Sequence, residues 1–130
     1  MLLLRRTGGP IEGEWCQVAG GIEPGEAAWR AALRELKEET GLVPERFYSA
    51  DICEQFYEPD KECISLLPVF VAYIGAEAMV TLNHEHSDFR WMSFDEARAA
   101  VPFSGQRAVL DHVEREFVQA RPTEWLRIDF

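Results

Sequence analysis

The chain has 130 residues, which suits one domain and is short for two. Its 23 Asp and Glu residues outweigh its 13 Lys and Arg residues, and the resulting formal net charge of −10 argues against nucleic-acid polymers and anionic membranes as partners. We see no apolar run of ~18 residues and no signal-peptide pattern, so we expect a cytoplasmic protein that does not bind membranes. Cys16, Cys53 and Cys63 show no paired spacing and are expected to be reduced core thiols.

The first third of the chain predicts two short strands and one helix. The strands are Leu2–Arg6 and residues 15–19, with loops rich in Gly and Pro after each of them. Residues 26–40 are rich in alanine and charge and contain no Gly or Pro, which favours a helix. Gly41 follows as its expected left-handed end.

The rest of the chain predicts a long hairpin, a short strand and two helices. The hairpin strands are rich in aromatic and β-branched residues and flank the turn sequence EPDK. A capping box from Ser93 to Glu96 opens a short helix that Pro102 ends, and the final TEWLRIDF suits a terminal strand. The order predicts an α/β or α+β fold with a mixed sheet between helices. The hairpin strands span residues 46–57 and 62–74. The short strand spans residues 89–92, and the last helix spans residues 105–119.

Three glutamates, Glu35, Glu38 and Glu39, crowd into five residues of the first predicted helix. Because helix positions i, i+3 and i+4 are neighbours, the three carboxyl groups lie within about 100° of each other, and we expect them to form an exposed patch. Such a patch binds hard cations such as Mg²⁺, although an acidic solvated helix face is the simpler explanation from the helix alone. The apolar stripe on another flank consists of Trp29, Ala32, Leu33, Leu36 and Thr40.

The spacing around these acids resembles the Nudix box. From Gly20 to Leu42 the sequence GGIEPGEAAWRAALRELKEETGL matches the nine defined positions of G-x5-E-x7-R-E-U-x-E-E-x-G-U, where U is aliphatic. The resemblance extends to LLLRR before the box and HSDFRWMSFDEA after it. It implies a Nudix fold, with residues 1–130 as a single domain. Family members usually have a strand ahead of LLLRR, so either the true start lies upstream or another segment fills that place. TEWLRIDF, from the same chain or from the partner in a homodimer, is a candidate to fill that place.

The resemblance also implies a role for each box residue. Glu35 and Glu39 are the expected main ligands of Mg²⁺ or Mn²⁺, and the carbonyl of Ala19 would complete the shell. Glu38 is expected to serve a second metal or to act in catalysis, and Arg34 to orient the acids. Residues with a motif or structural role are Gly20, Gly25, Glu26 and Gly41.

Nudix enzymes often take a further acid from outside the box, as metal ligand or general base. Glu85, in the segment NHEHSDFRW, is the candidate, and its neighbours His84 and His86 are expected to be exposed loop residues. Glu54 and Glu58 on the hairpin are weaker alternatives that we expect to be surface charges. Candidates for binding phosphate oxygens, with ordinary ion pairs as the competing explanation, are Arg5, Arg6 and Arg107.

The resemblance implies an enzyme with a nucleotide-type substrate, a Mg²⁺-dependent pyrophosphohydrolase in which water attacks phosphorus in a nucleoside di- or triphosphate. WCQVAGGIEPGEAAW, EHSDFRW and FSGQRAVLDHV look similar to the bacterial branch that acts on dATP and dihydroneopterin triphosphate. Two alternatives stay open, a hydrolase of ADP-ribose or dinucleoside polyphosphates and a non-catalytic nucleotide-sensing module. Such modules typically lose box acids, and this chain keeps all of them.

Overall fold

The computed structural model describes residues 1–130, and its strands form two antiparallel sheets. β1 (Leu2–Arg6) lies between β2 (Trp15–Cys16) and β5 (His86–Trp91) in the first sheet. β3 (Arg46–Glu58) and β4 (Cys63–Tyr73) form the predicted long hairpin, which is the second sheet. The α+β class is confirmed, but two antiparallel sheets replace the single mixed sheet, because β1 pairs only with β2 and β5.

Three α-helices accompany the sheets: α1 (Ala28–Thr40), α2 (Phe94–Ala100) and α3 (Ser104–Val113), and α3 continues into a π-helical turn, Glu114–Gln119. α1 begins two residues later than predicted because Ala27 before it is extended. It ends as predicted at Gly41, whose φ of 71° is left-handed. The predicted capping box of α2 is present. None of these helices has the length and apolar character needed to cross a membrane.

The end of the chain does not form the predicted strand. Glu124–Leu126 is a 3₁₀ turn, and the chain then makes a single antiparallel bridge, between Arg127 and Tyr48 of β3. The N–H of Ile128 also donates to the carbonyl of Phe47 at 2.9 Å. The terminal segment therefore covers only a short part of the outer edge of β3, because the 3₁₀ turn before it limits the paired length.

α3 joins two small hydrophobic clusters. One contains Leu3 of β1 and Leu110 of α3 together with Ala97 and Val101 from α2 and its end. The other lies on the hairpin, where Tyr48 and Ala50 contact Phe117 of the π-helical turn and partly buried Val113. The hydroxyl of Tyr73 donates to the carbonyl of Phe117 at 2.6 Å. The two sheets are thus held together through one side of α3.

The three cysteines are free, as predicted, but they are not all core thiols. Cys16 is buried in β2, and burial raises its pKa to about 11. Cys53 and Cys63 are exposed on the hairpin. The expectation of core thiols therefore holds for Cys16 alone, because the hairpin extends beyond the second cluster and leaves its outer half in solvent.

The capping box gives a simple test of the fold. Replacing Ser93 by Ala removes the side-chain oxygen that accepts from the N–H of Glu96, and we expect it to lower the free energy of unfolding by about 1 kcal/mol. Ser104→Ala is the matched control, since Ser104 begins α3 without acting as its cap. Urea denaturation of both variants measures the difference, and equal stability would contradict the assigned capping role.

Candidate active site

Arg34 is the centre of an ion-pair cluster in the box. Its Nε and Nη2 donate to the two carboxyl oxygens of Glu26, each at 3.0 Å, and Nη2 also donates to the carbonyl of Gly21 at 2.8 Å. Nη1 donates to Glu35 at 2.6 Å and to Glu38 at 3.2 Å. One guanidinium therefore ties the loop before α1 to two of the box glutamates, which is the geometry that an orienting residue needs.

Glu39 is almost fully buried, with 2% of its surface exposed, which corrects the expectation that it lies on an exposed patch. Its Oε2 has no hydrogen-bond partner. Burial raises the pKa of Glu39 to about 8, and the nearby charges of Glu35 and Glu85 add to that increase. Arg6 and the backbone at Ala19 offset part of it. A carboxyl group held in this way is poised to bind a cation.

Gly20 is required by the close approach of Glu35. A Cβ atom added to Gly20 would lie 2.0 Å from Cδ and 2.2 Å from Oε1 of Glu35, so no larger residue fits without moving that side chain. The neighbouring Gly21 has open space around it. Gly20 therefore lets the loop pass directly over the carboxyl group, next to the carbonyl of Ala19 that precedes it.

Glu85 is brought to the box by backbone hydrogen bonds to the end of α1. The N–H groups of Thr81 and Asn83 donate to the carbonyls of Thr40 and Glu39, at 2.8 and 3.3 Å. The N–H of Glu85 then donates to Oδ1 of Asn83 at 3.0 Å. The segment before β5 thus caps α1 and places an exposed Glu85 near enough for its charge to act on Glu39.

Arg6 and His86 lie in the same neighbourhood, opposite each other in the β1–β5 pairing. Three buried side-chain atoms have no hydrogen-bond partner in the protein: Nε of Arg6, Oε2 of Glu39 and Nε2 of His86. His86 is 5% exposed, so the expectation that it is an exposed loop residue is wrong, whereas His84 is exposed. Burial, followed by the charge of Arg6, lowers the pKa of His86.

The other two arginine candidates are engaged elsewhere. Arg5 is exposed and donates from Nε to the carbonyl of Gly13 at 3.0 Å. Arg107 donates from Nη1 to the carbonyls of Val101 and Pro102 at 3.2 and 3.5 Å, where it caps the end of α2. Of the three arginines, Arg6 is the one whose charge acts on Glu39. Phosphate binding by Arg5 and Arg107 stays a prediction.

Glu54 is not the surface charge that the sequence suggested. It is 8% exposed, its Oε2 accepts from Nε2 of Gln17 at 3.2 Å, and its burial raises its pKa. The period of two along β3 contained the signal, since Tyr48, Ala50 and Ile52 all contribute to the hairpin cluster and Glu54 is next in that series. Glu58 behaves as expected and pairs with exposed Lys61 at 2.7 Å.

The box suits a hard divalent cation, although no three His, Cys, Asp or Glu side chains are gathered at metal-ligand spacing. Glu35 is turned toward Arg34 rather than gathered with Glu39. The unpartnered Oε2 of Glu39, the cradle at Gly20 and the all-oxygen donor set nevertheless fit Mg²⁺ or Mn²⁺. To help hold the cation, Glu35 would have to turn away from the guanidinium of Arg34.

The family model described as "NUDIX domain" matches residues 1–120. The chain belongs to the NUDIX family. This match confirms the predicted family and its fold, and together with the relatives below, which are named as hydrolases, it confirms the predicted enzyme class. The loop–helix–loop of the Nudix box corresponds to residues 20–42, with α1 at its centre.

Three known proteins illustrate the similarity. The asymmetrical bis(5'-nucleosyl)-tetraphosphatase of Caenorhabditis elegans is 29% identical over 98 residues, covering 74% of this chain and 70% of its own length. Nucleoside triphosphatase NudI of Escherichia fergusonii is 32% identical over 91 residues, covering 65% of this chain and 64% of its own. The structure of the E. coli dihydroneopterin triphosphate pyrophosphohydrolase superposes with a TM-score of 0.72 over 92% of this chain and 86% of its own, at 21% identity. This last likeness shows the fold alone.

Burial of Glu39 predicts an effect on stability in the metal-free protein. Its pKa of about 8 lies above the ordinary value of 4.5, so the folded state keeps a proton that the unfolded chain releases, and stability falls as pH rises from 4.5 to 8. Glu39→Gln removes this penalty. We expect it to stabilise the EDTA-treated protein at pH 7 by on the order of 2–3 kcal/mol and to change little at pH 4.5.

Thermal denaturation across this pH range, with EDTA present, checks the expectation. Glu38→Gln is the control, because Glu38 is exposed on the same helix. A Glu39→Gln variant whose stability relative to the wild type is the same at pH 4.5 and pH 8 would contradict the burial of a strained carboxylate.

Proposed function

We propose that this chain is a Mg²⁺- or Mn²⁺-dependent hydrolase of a diphosphate linkage in a nucleoside polyphosphate, with residues 1–130 acting as a single Nudix domain in the cytoplasm. The observation that carries the proposal is the buried carboxyl of Glu39, whose Oε2 has no partner within the protein and which the charges of Glu35 and Glu85 surround. Burying such a group lowers the free energy of unfolding unless a cation compensates its charge. We therefore interpret the buried carboxyl group in the box as serving function and not stability.

Glu35 and Glu39 are the proposed main ligands, and Glu38 and the carbonyl of Ala19 complete the oxygen donors around them. When bound, the cation neutralises charge on the phosphate oxygens and orients a water molecule for attack at phosphorus. Arg34 holds Glu35 and Glu38 in the apo protein, and its bidentate pair with Glu26 keeps the guanidinium in place when Glu35 turns. Glu35 would then be free to face a cation while the loop stays tied to Arg34 through Glu26 and Gly21.

Glu85 is the proposed general base. It is exposed, it carries its charge near Glu39, and backbone hydrogen bonds to the end of α1 set its position. An acid in this place can accept a proton from water that enters with the substrate. Arg6, with its buried unpartnered Nε and its charge acting on Glu39, is the proposed phosphate contact at the box acids. Arg5 and Arg107 stay further candidates.

The substrate class is a nucleoside triphosphate or a dinucleoside polyphosphate. Both types appear in the names of the relatives, a nucleoside triphosphatase and a bis(5'-nucleosyl)-tetraphosphatase. The segment SGQR, at the start of α3, supports the triphosphate branch and with it dihydroneopterin triphosphate. ADP-ribose is the further candidate. We also propose a homodimer as an option, because the terminal segment forms a single bridge with β3 and leaves most of that strand edge free to pair with a second copy.

A hydrolysis screen with and without Mg²⁺ tests the function. We expect metal-dependent turnover of a nucleoside triphosphate or dinucleoside polyphosphate, and products assayed separately as pyrophosphate, orthophosphate and nucleotide identify the linkage cleaved. Glu39→Gln is expected to lower kcat by a factor of 10² or more, because it removes a charged ligand. Glu85→Gln is expected to lower kcat and spare metal affinity. A folded, metal-loaded protein that turns over none of these substrates would favour the sensing module instead.

The two adjacent glycines give a matched test of the metal site. Gly20→Ala must displace the Glu35 side chain, so we expect at least tenfold weaker Mn²⁺ binding, measured by electron paramagnetic resonance, and an unchanged fold. Gly21→Ala meets open space and is expected to bind Mn²⁺ as the wild type does. Equal Mn²⁺ affinity in the two variants would show that the position of Glu35 under Gly20 is not needed for metal binding.

A further inference from the structure

Glu54 is a buried acid that the proposed chemistry does not use. Its Oε2 accepts from Nε2 of Gln17 at 3.2 Å, and Oε1 of Gln17 accepts from Nε2 of Gln106 at 3.2 Å. Oε1 of Gln106 in turn accepts from the N–H of Phe103 at 3.2 Å. Both Glu54 and Gln106 are more than nine-tenths buried. This series of hydrogen bonds through two amide side chains holds the carboxyl group of Glu54 in one orientation.

The second carboxyl oxygen of Glu54 is left for a ligand. Oε1 accepts no hydrogen bond from the protein and is not among the buried side-chain atoms without a partner, so part of its surface is exposed. Gly105 lies beside it, and a Cβ there would come within 3.5 Å of Oε1. A glycine at this place, at the start of α3, leaves the approach to the carboxyl group open.

Apolar residues are neighbours of Glu54 on the same face of the hairpin. Leu67 is paired with Glu54 across the two strands, and Phe56 is two residues farther along β3. They are 37% and 41% exposed, so each presents apolar surface to solvent beside a buried carboxyl group. Apolar surface with one fixed polar group at its edge is the composition of a site for a flat heterocycle.

The same loop positions this face and the box. Gln17, which holds Glu54, precedes Gly20, which cradles Glu35, by three residues, and so by at most about 10 Å of backbone. A nucleotide whose phosphates lie at the box acids therefore has its base within reach of the hairpin face. The loop between them would run along the length of the bound molecule.

We propose that Glu54 recognises the base of the nucleotide and selects a heterocycle whose edge presents two adjacent N–H donors, as guanine and pterins do. The inference rests on the proposed function for the kind of molecule that enters. Because Oε2 is engaged by Gln17, Oε1 is the acceptor that Glu54 offers to a ligand, and one carboxyl oxygen can accept from both a ring N–H and the amino group beside it. Adenine places a ring acceptor beside its amino group and so turns a lone pair toward Oε1. Gln17 and Gln106 act as positioning residues for Glu54.

Binding in the presence of EDTA tests this inference without hydrolysis. Isothermal titration of GMP, AMP and ribose 5-phosphate is compared for the wild type, Glu54→Gln and the control Glu58→Gln. Glu58 lies on the same face of β3 and is engaged by Lys61 and Ser65. We expect the wild type and the control to prefer GMP over AMP, and Glu54→Gln to reduce that preference about tenfold or more, since an amide offers one donor and one acceptor. Ribose 5-phosphate is expected to bind all three proteins alike.

Each other outcome has a defined meaning. An unchanged GMP preference in a folded Glu54→Gln variant overturns the inference, and so does failure of the wild type to bind any nucleotide. A fall in kcat with the preference intact would move Glu54 into the chemistry and also overturn it. If the GMP preference depends on Glu54 but no substrate is hydrolysed with Mg²⁺, base recognition stands and the proposed hydrolase activity falls.

Discussion

The contact on which the site depends is the guanidinium of Arg34 between Glu26, Glu35 and Glu38. Single exposed ion pairs contribute little, but a bidentate pair that also reaches a loop carbonyl restrains several groups at once. The chain carries a formal net charge of −10, and without the positive charge of Arg34 the glutamates on this face of α1 would repel each other. Arg34 therefore lets a dense acidic motif exist before any metal binds.

Glu39, on the same helix but outside the contacts of Arg34, is buried with an unpartnered oxygen. Its pKa is raised mainly by burial, so ionised Glu39 lowers the free energy of unfolding in the metal-free state. The segment before β5 contributes to this arrangement twice, since it caps the end of α1 and carries Glu85 to the same place. Stability and catalytic readiness are thus opposed at one residue, as is common at functional sites.

α3 connects the box to the hairpin face. Leu110 packs under β1, while Val113 and the π-helical turn pack on β3, so the two sheets keep a fixed relation through this helix. The beginning of the same helix supplies Gln106, which reaches Gln17 just before the box and, through it, Glu54. A single helix thereby sets the distance between the proposed phosphate end and the proposed base end of the substrate.

The sequence by itself determined the box, α1 with its glycine end, the capping box of α2 and the long hairpin. These features depend on neighbours at positions i to i+4 or on alternation along one strand, which the residue order already contains. The tertiary structure decided that Glu39, His86 and Glu54 are buried and that the strands form two sheets. It also reduced the terminal strand to one bridge. These outcomes depend on which distant segments cover a side chain or a strand edge, and local patterns carry no information about that covering.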